Sequence, residues 1–432
     1  MTENDIFGKT VPLLIRNVLL NNKPTEIYLD GTGRIEDIAE KITEHDAEFI
    51  IDGKGATALP GMINMHTHSP MGLLRGYADD IPLLEWLSTK IWPIEAHLTK
   101  KEIYWGAKLA CLEMIRTGTT TFNDMYFMMD NIADAVEEAG IRACLAYCMI
   151  DNGNHTKFES ECSIMEKTIS KLKSRANPRI MTGVAPHSIY TVSEEGLRWC
   201  AEFSKTENIP LHIHVNETNE NPECIKSHGM RVVPWLKHCD ILSKRCIAAH
   251  CCWVDANDIA LFAKHGVTVV HNPISNMKLA VGKALPYPAM KSADINVALG
   301  TDGASSNNNL DMFSEMKTAA LLQKFIWNDP TIMPADEILT IASHNGAKAL
   351  GLNAGIIAPG YLADIILVGR NPMNVPTFSS TSNAVYATCG LAVDTTICNG
   401  TVLMHEGYIP GADEIIKKSE EIAIELVKRA TT

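Results

Sequence analysis

Between residues 59 and 302 short apolar runs alternate with longer stretches of helical period, the pattern of βα units around a parallel sheet. The apolar runs predict strands at 62–68, 119–124, 141–147, 180–187, 211–217, 246–251, 267–271 and 297–302. Eight such strands, as found here, are what a closed (β/α)8 barrel needs. Most of the runs end in a polar residue: His68, Asp124, His187, Glu217, His271 and Asp302. Barrel chemistry sits at the C-terminal ends of the strands, so these side chains are expected to converge on one mouth.

Outside that stretch the texture changes. Leu13–Leu20 and 27–29 read as short strands, with Asp30-Gly31-Thr32-Gly33 as a hairpin turn. After Pro359-Gly360 strand texture returns at 363–368 and 395–404. The tail at 414–429 spaces Ile415, Ser419, Ile422 and Leu426 as one face of an amphipathic helix. The expected class is therefore α/β, a TIM-type barrel bracketed by a small β-sandwich domain built from both chain ends. The expected division is 1–58 for the N-terminal part of the small domain and 59–356 for the barrel. Residues 357–432 supply the rest of the small domain and the terminal helix.

Composition narrows the function classes. The chain has 432 residues, 46% hydrophobic and 21% charged, as expected of a globular protein. Its net charge of -13 argues against nucleic acid as a partner, because such binders display basic surfaces. The opening ten residues are polar and acidic, and no apolar run approaches the ~18 residues of a membrane span, so neither export nor insertion is expected. The 12 cysteines lie mostly in apolar stretches and never in Cys-x-x-Cys spacing. They read as buried, reduced thiols, which suits the cytoplasm and excludes a thiolate zinc site.

His66 and His68 are two apart on the first barrel strand, and the period of two places both imidazoles on one face. That is half of a divalent metal site. The fifth strand repeats the pairing with His212 and His214. Periodicity alone does not rank them, but His214 is nearer the strand's end and Glu217. Asp302 follows an apolar strand, where an unpaired buried carboxylate would cost several kcal/mol. Three imidazoles and one carboxylate leave room for water, the arrangement of a catalytic site.

The stretches from Pro60-Gly61-Met62 to His66-Thr67-His68, His214-Val215-Asn216-Glu217, His250-Cys251 and Gly300-Thr301-Asp302-Gly303 resemble the amidohydrolase superfamily. His271-Asn272-Pro273-Ile274-Ser275-Asn276 and Ser305-Ser306-Asn307-Asn308-Asn309 narrow the resemblance to the methylthioadenosine/S-adenosylhomocysteine deaminases, which include the 5'-deoxyadenosine deaminases. The resemblance implies one zinc or iron ion held by His66, His68, His214 and Asp302. It implies that Asp302, aided by His250, takes a proton from the attacking water, and that Glu217 protonates N1 of the adenine. His187 stands where two-metal members of the superfamily carry a bridging lysine, and resembles the residue that contacts the nucleoside. Glu95 matches a glutamate that accepts from the ribose hydroxyls, and Trp86 is positioned to cover the sugar or its 5' substituent. Between 150 and 166 the chain has no arginine, and Lys157 is its only fixed cation. Apolar 5' ends, as in 5'-deoxyadenosine and methylthioadenosine, are thus expected over S-adenosylhomocysteine. The family also implies a homo-oligomer, dimer or tetramer. The alternative is an aminohydrolase of the same fold acting on guanine or a triazine.

Overall fold

The computed structural model describes residues 6–431; residues 1–5, half of the polar opening segment, and Thr432 lie outside them. The N-terminal stretch forms five strands: β1 (Leu13–Leu20), β2 (Lys23–Leu29), β3 (Ile35–Ala39), β4 (Phe49–Asp52) and β5 (Thr57–Pro60). The Asp30 to Gly33 turn joins β2 to β3, with Asp30 Oδ1 accepting from the backbone N–H groups of Thr32 and Arg34. Sequence reading finds β1 and part of β2 and misses β5, β3 and β4. The last two are short, and Asp37 and the exposed Ile50 blur their alternation.

The barrel strands follow: β6 (Met62–Thr67), β7 (Thr119–Tyr126), β8 (Arg142–Met149), β9 (Ile180–Pro186), β10 (Leu211–Val215), β11 (Cys246–His250), β12 (Thr268–His271) and β13 (Val297–Leu299). They pair in parallel and in sequence order from β6 to β13. Seven of the eight are buried along their whole length, because helices cover the outside while side chains fill the inside. This is why each reads as an apolar run. The seam between β13 and β6 is closed just beyond β13, where Thr301 N donates to Asn64 Oδ1 (3.0 Å) and Asp302 N to the His66 carbonyl (2.9 Å).

Beyond the barrel come β14 (Ile365–Val368), β15 (Val393–Cys398) and β16 (Thr401–Met404). They join the N-terminal strands in one mixed sheet ordered β16-β15-β14-β5-β1-β2-β3, with β4 also paired to β1. The expected strand at 395–404 is a hairpin, turning at Asn399-Gly400. The two chain ends meet where β5 runs antiparallel to β14, Pro60 opposite Ile365. Arg142 on β8 reaches Asp364, just before β14, and both side chains are buried. Asp364 Oδ1 also accepts from Asn399 N (2.7 Å), so one carboxylate ties barrel to sheet and steadies the β15–β16 turn. The terminal helix Ala412–Thr431 buries Ser419, Ile422 and Leu426 against the helix Lys100–Arg116, and the Ser419 hydroxyl donates to the Trp105 carbonyl (3.2 Å).

Candidate active site

β6 ends at Thr67 and the chain turns at once into a short helix, Ser69–Leu74, whose first residue donates from N (2.8 Å) and from its hydroxyl to Asp124 on β7. The turn fixes His66 and His68 at the top of the first barrel strand with ring centres 4.9 Å apart. His214, near the end of β10, puts its ring 4.9 Å from that of His66. At the ends of β11 and β13, His250 (φ 71°) and Asp302 (φ 63°) take up left-handed backbone conformations. A non-glycine residue adopts that region at a cost of order 1–3 kcal/mol. Here the turn leaves both side chains in the cluster. Asp302 Oδ1 lies 3.2 Å from His68 Nε2 and 3.4 Å from His66 Nε2. His250 Nε2 lies 3.9 Å from Glu217 Oε2.

The donor set fits a divalent cation. Ligand atoms of His66, His68 and His214 lie within 4.8 Å of one another, and so do those of His66, His250 and Asp302. Nε2 of His66 and of His250 is buried without a hydrogen-bond partner among the described residues. The outer nitrogens are engaged: His68 Nδ1 donates to the Met125 carbonyl (2.7 Å) and His214 Nδ1 to the His187 carbonyl (2.7 Å). With the proton held on Nδ1, a neutral ring offers its Nε2 lone pair to a metal. His250 is held likewise by Asn276 Oδ1 (2.8 Å).

Electrostatics favour the same states. Burial lowers His66 to about 4 and takes His214 well below the usual histidine value, so both rings are neutral. Burial also lowers His68, but pairing with Asp302 outweighs it and raises the ring to about 9, so a cation binding there displaces a proton. Burial pushes the Asp302 carboxyl up, yet His66 and His68 beside it hold it well below the ordinary carboxylate range. Glu217 behaves oppositely. Burial raises its carboxyl, His250 opposes the shift, and Asp302 adds to it. Two carboxyls at one site are thus pushed apart, one toward ionised and one toward protonated, as acid and base roles require.

A cleft of about 640 Å³ opens above the cluster, with Trp86, Glu95, His187 and Glu217 on its walls. Glu95 Oε1 accepts from the Tyr126 hydroxyl (2.5 Å), which leaves Oε2 free for a ligand. Trp86 is buried, its indole N–H donating to the Ala78 carbonyl (2.9 Å). His187 Nδ1 is 2.8 Å from the Thr191 hydroxyl, and burial lowers its pKa. Lys157 is exposed on the helix His155–Ser174 and does not line the cleft; no lysine or arginine does among the described residues.

Two of the polar strand-end residues do not join the mouth. Asp124 lies inside β7, which continues to Tyr126, and its carboxylate is spent on Ser69. His271 lines a neighbouring cavity with Met277 and Lys283. Other residues proved important without being singled out. Tyr126 shares a face of β7 with Asp124, so the period of two could have found it. Ser275, whose hydroxyl donates to Asp302 Oδ2 (2.6 Å), and Asn276 lie in the 271–276 motif, where only their contacts give them roles.

Comparison with known proteins agrees with this geometry. The chain is 53% identical to the 5'-deoxyadenosine deaminase of Methanoregula boonei, covering 99% of this chain and 98% of that protein. It is 45% identical to 5-methylthioadenosine/S-adenosylhomocysteine deaminase 1 of Archaeoglobus fulgidus, over 92% of this chain and 94% of that one. The zinc-bound crystal structure of an adenosine deaminase from Xanthomonas campestris superimposes with a TM-score of 0.90 at 30% identity, covering 98% and 99% of the two chains. Residues 57–403, from the first residue of β5 into β16, match the amidohydrolase family. The seam, the imidazole cluster and the β5–β14 junction of the mixed sheet fall within that span, and the chain belongs to the amidohydrolase family.

Proposed function

We propose that the protein is a metal-dependent hydrolytic deaminase that converts 5'-substituted adenosines, chiefly 5'-deoxyadenosine and 5'-methylthioadenosine, to the inosine analogues and ammonia. The observation that carries this reading is Glu217, held toward its protonated form beside a cluster of buried imidazoles. The names of the full-length relatives support the substrate class. Triazine hydrolases share the fold at 20% identity, which speaks to the fold alone and gives no support to the triazine or guanine alternative.

His66, His68, His214 and Asp302 would hold one divalent ion, zinc or iron. When bound, such an ion lowers the pKa of a water toward neutrality and polarises it for attack. The remaining work belongs to the chain. Glu217 delivers its proton to N1 of the adenine as water adds at C6. Asp302, with His250 beside it, takes the proton released by that water. Asp302 then passes that proton to the amine, the C6–N bond breaks to release ammonia, and the hydroxyl proton returns to Glu217 as the carbonyl of the inosine analogue forms. His187 orients the nucleoside, Glu95 accepts from the ribose hydroxyls, and Trp86 covers the sugar and its 5' substituent.

Among the described residues no lysine or arginine lines the cleft wall, so they offer the carboxylate of S-adenosylhomocysteine no fixed cation. Metal-replete protein mixed with a panel of adenosine analogues should lose adenine absorbance, fastest with the apolar 5' ends. No loss with any analogue would sink the deaminase reading, and plasma emission separates zinc from iron. All 12 cysteines are unpaired, which fits the cytoplasm. The helix Met312–Trp327 leaves Leu321, Phe325, Ile326 and Trp327 exposed, a face suited to contact between copies; light scattering tests a dimer or tetramer against a monomer.

A further inference from the structure

The barrel interior holds one more imidazole, His212, whose place the reaction above does not explain. It sits on β10 two residues before His214 and is fully buried, as are His66 and Asn123. His212 Nε2 lies 2.9 Å from His66 Nδ1, a contact that spans the barrel from its first strand to its fifth. On the other side, His212 Nδ1 is 3.1 Å from the Asn123 amide nitrogen, which also donates to the Met65 carbonyl (3.1 Å). A buried imidazole costs stability unless its nitrogens are matched. Both nitrogens of His212 are matched, and one match is to a residue of the metal cluster.

His68 and His214 each rest on a backbone carbonyl, an acceptor that cannot change role. Of the three histidines assigned to the ion, His66 alone rests on a side chain able to accept or to donate. We infer that His212 is a positioning residue for the metal site, orienting the His66 ring and accepting its Nδ1 proton so that Nε2 is free for the cation. The inference rests on His66 being a ligand. Asn123 completes the chain. Its Oδ1 is buried without a partner, and a turn of the carboxamide exchanges the bond to the Met65 carbonyl for an acceptor at the Nδ1 proton that His212 then carries.

The test is metal retention. Purified holoenzyme and two variants, His212→Gln and His212→Phe, are titrated with a graded series of chelator. Bound zinc is read by elemental analysis and folding by circular dichroism. Loss of an outer partner to a ligating histidine typically costs 10- to 100-fold in metal affinity. The chelator midpoint of His212→Phe should fall by about that factor, and His212→Gln, which keeps a hydrogen-bonding group, should recover part of it. A wild-type midpoint in folded His212→Phe overturns the inference, as does a His212→Gln variant no better than the Phe one. If His212→Phe does not fold, Asn123→Leu leaves His212 in place but unsupported. A weakened midpoint there is expected, and an unmoved one overturns the inference. An unmoved midpoint in a variant of a zinc-binding, deaminating wild type defeats only the role of His212. A wild type that holds no metal defeats the functional reading itself.

Discussion

Replacing Glu95 by Gln separates ribose recognition from chemistry. The Tyr126 hydroxyl occupies Glu95 Oε1, so Oε2 carries the remaining acceptor capacity that faces the cleft. Glutamine keeps one acceptor oxygen and replaces the other by a donor amide, so if Tyr126 holds the oxygen, the ribose hydroxyls lose their acceptor. A hydrogen bond to a charged group is worth about 1.5–3 kcal/mol. Losing one such bond predicts a drop in kcat/KM of roughly 10- to 150-fold at ~1.4 kcal/mol per factor of ten. The loss should appear mostly in KM, since the ribose lies away from the bond that breaks. The assay follows adenine absorbance with wild type and variant, each on 5'-deoxyadenosine and on its analogue lacking both ribose hydroxyls. The wild type should lose activity on the shortened substrate, and the variant should lose little more. If the Gln substitution costs as much on the substrate without hydroxyls as on the intact one, Glu95 has no part in holding the ribose.

Glu217→Gln should lower kcat by about 10²- to 10⁴-fold while zinc content stays at the wild-type level, because the proton donor goes and no ligand does. A variant retaining full kcat removes Glu217 from the acid role. The burial-raised carboxyl must be protonated to act, so wild-type kcat/KM should fall as pH rises through that raised value, and the limb should be absent from the residual activity of the Gln variant. Arg142→Met strands the buried Asp364 carboxylate and should cost about 3–5 kcal/mol of stability. The double variant with Asp364→Leu should recover much of it, read as the denaturant midpoint; a single variant of wild-type stability would remove the pair from the coupling of barrel and sheet.

The barrel was legible because its strands are buried on both faces, by helices outside and packed side chains inside, so most became unbroken apolar runs. Their ends were less so. β7 runs two residues past Asp124, because tyrosine and methionine continue a strand as readily as they end one. β3 and β4 escaped because they are only five and four residues long, and Asp37 and the exposed Ile50 blur their alternation. The cluster of imidazoles and carboxylate could be read from residue type and position, since His66, His68, His214 and Asp302 all fall at or just past strand ends. What holds them could not. The bond of Tyr126 to Glu95, of Asn276 to His250 and of Ser275 to Asp302 are meetings between residues 26 to 31 positions apart, created by the fold. The left-handed turns at His250 and Asp302 left no trace either, since neither residue is a glycine.

The barrel's seam runs through its chemistry. Thr301 and Asn64, 237 positions apart, stitch the last strand to the first beside the very residues that would grip the ion. Bringing together ends so distant costs of order 5 kcal/mol in chain entropy. An ion held by His66 and His68 on one side and Asp302 on the other acts as a rivet across that joint, fastening the cylinder shut. Metal loading should therefore slow amide exchange in β6 and β13 before it does so in β8 or β9, which makes the cofactor a structural member of the fold as well as its reagent.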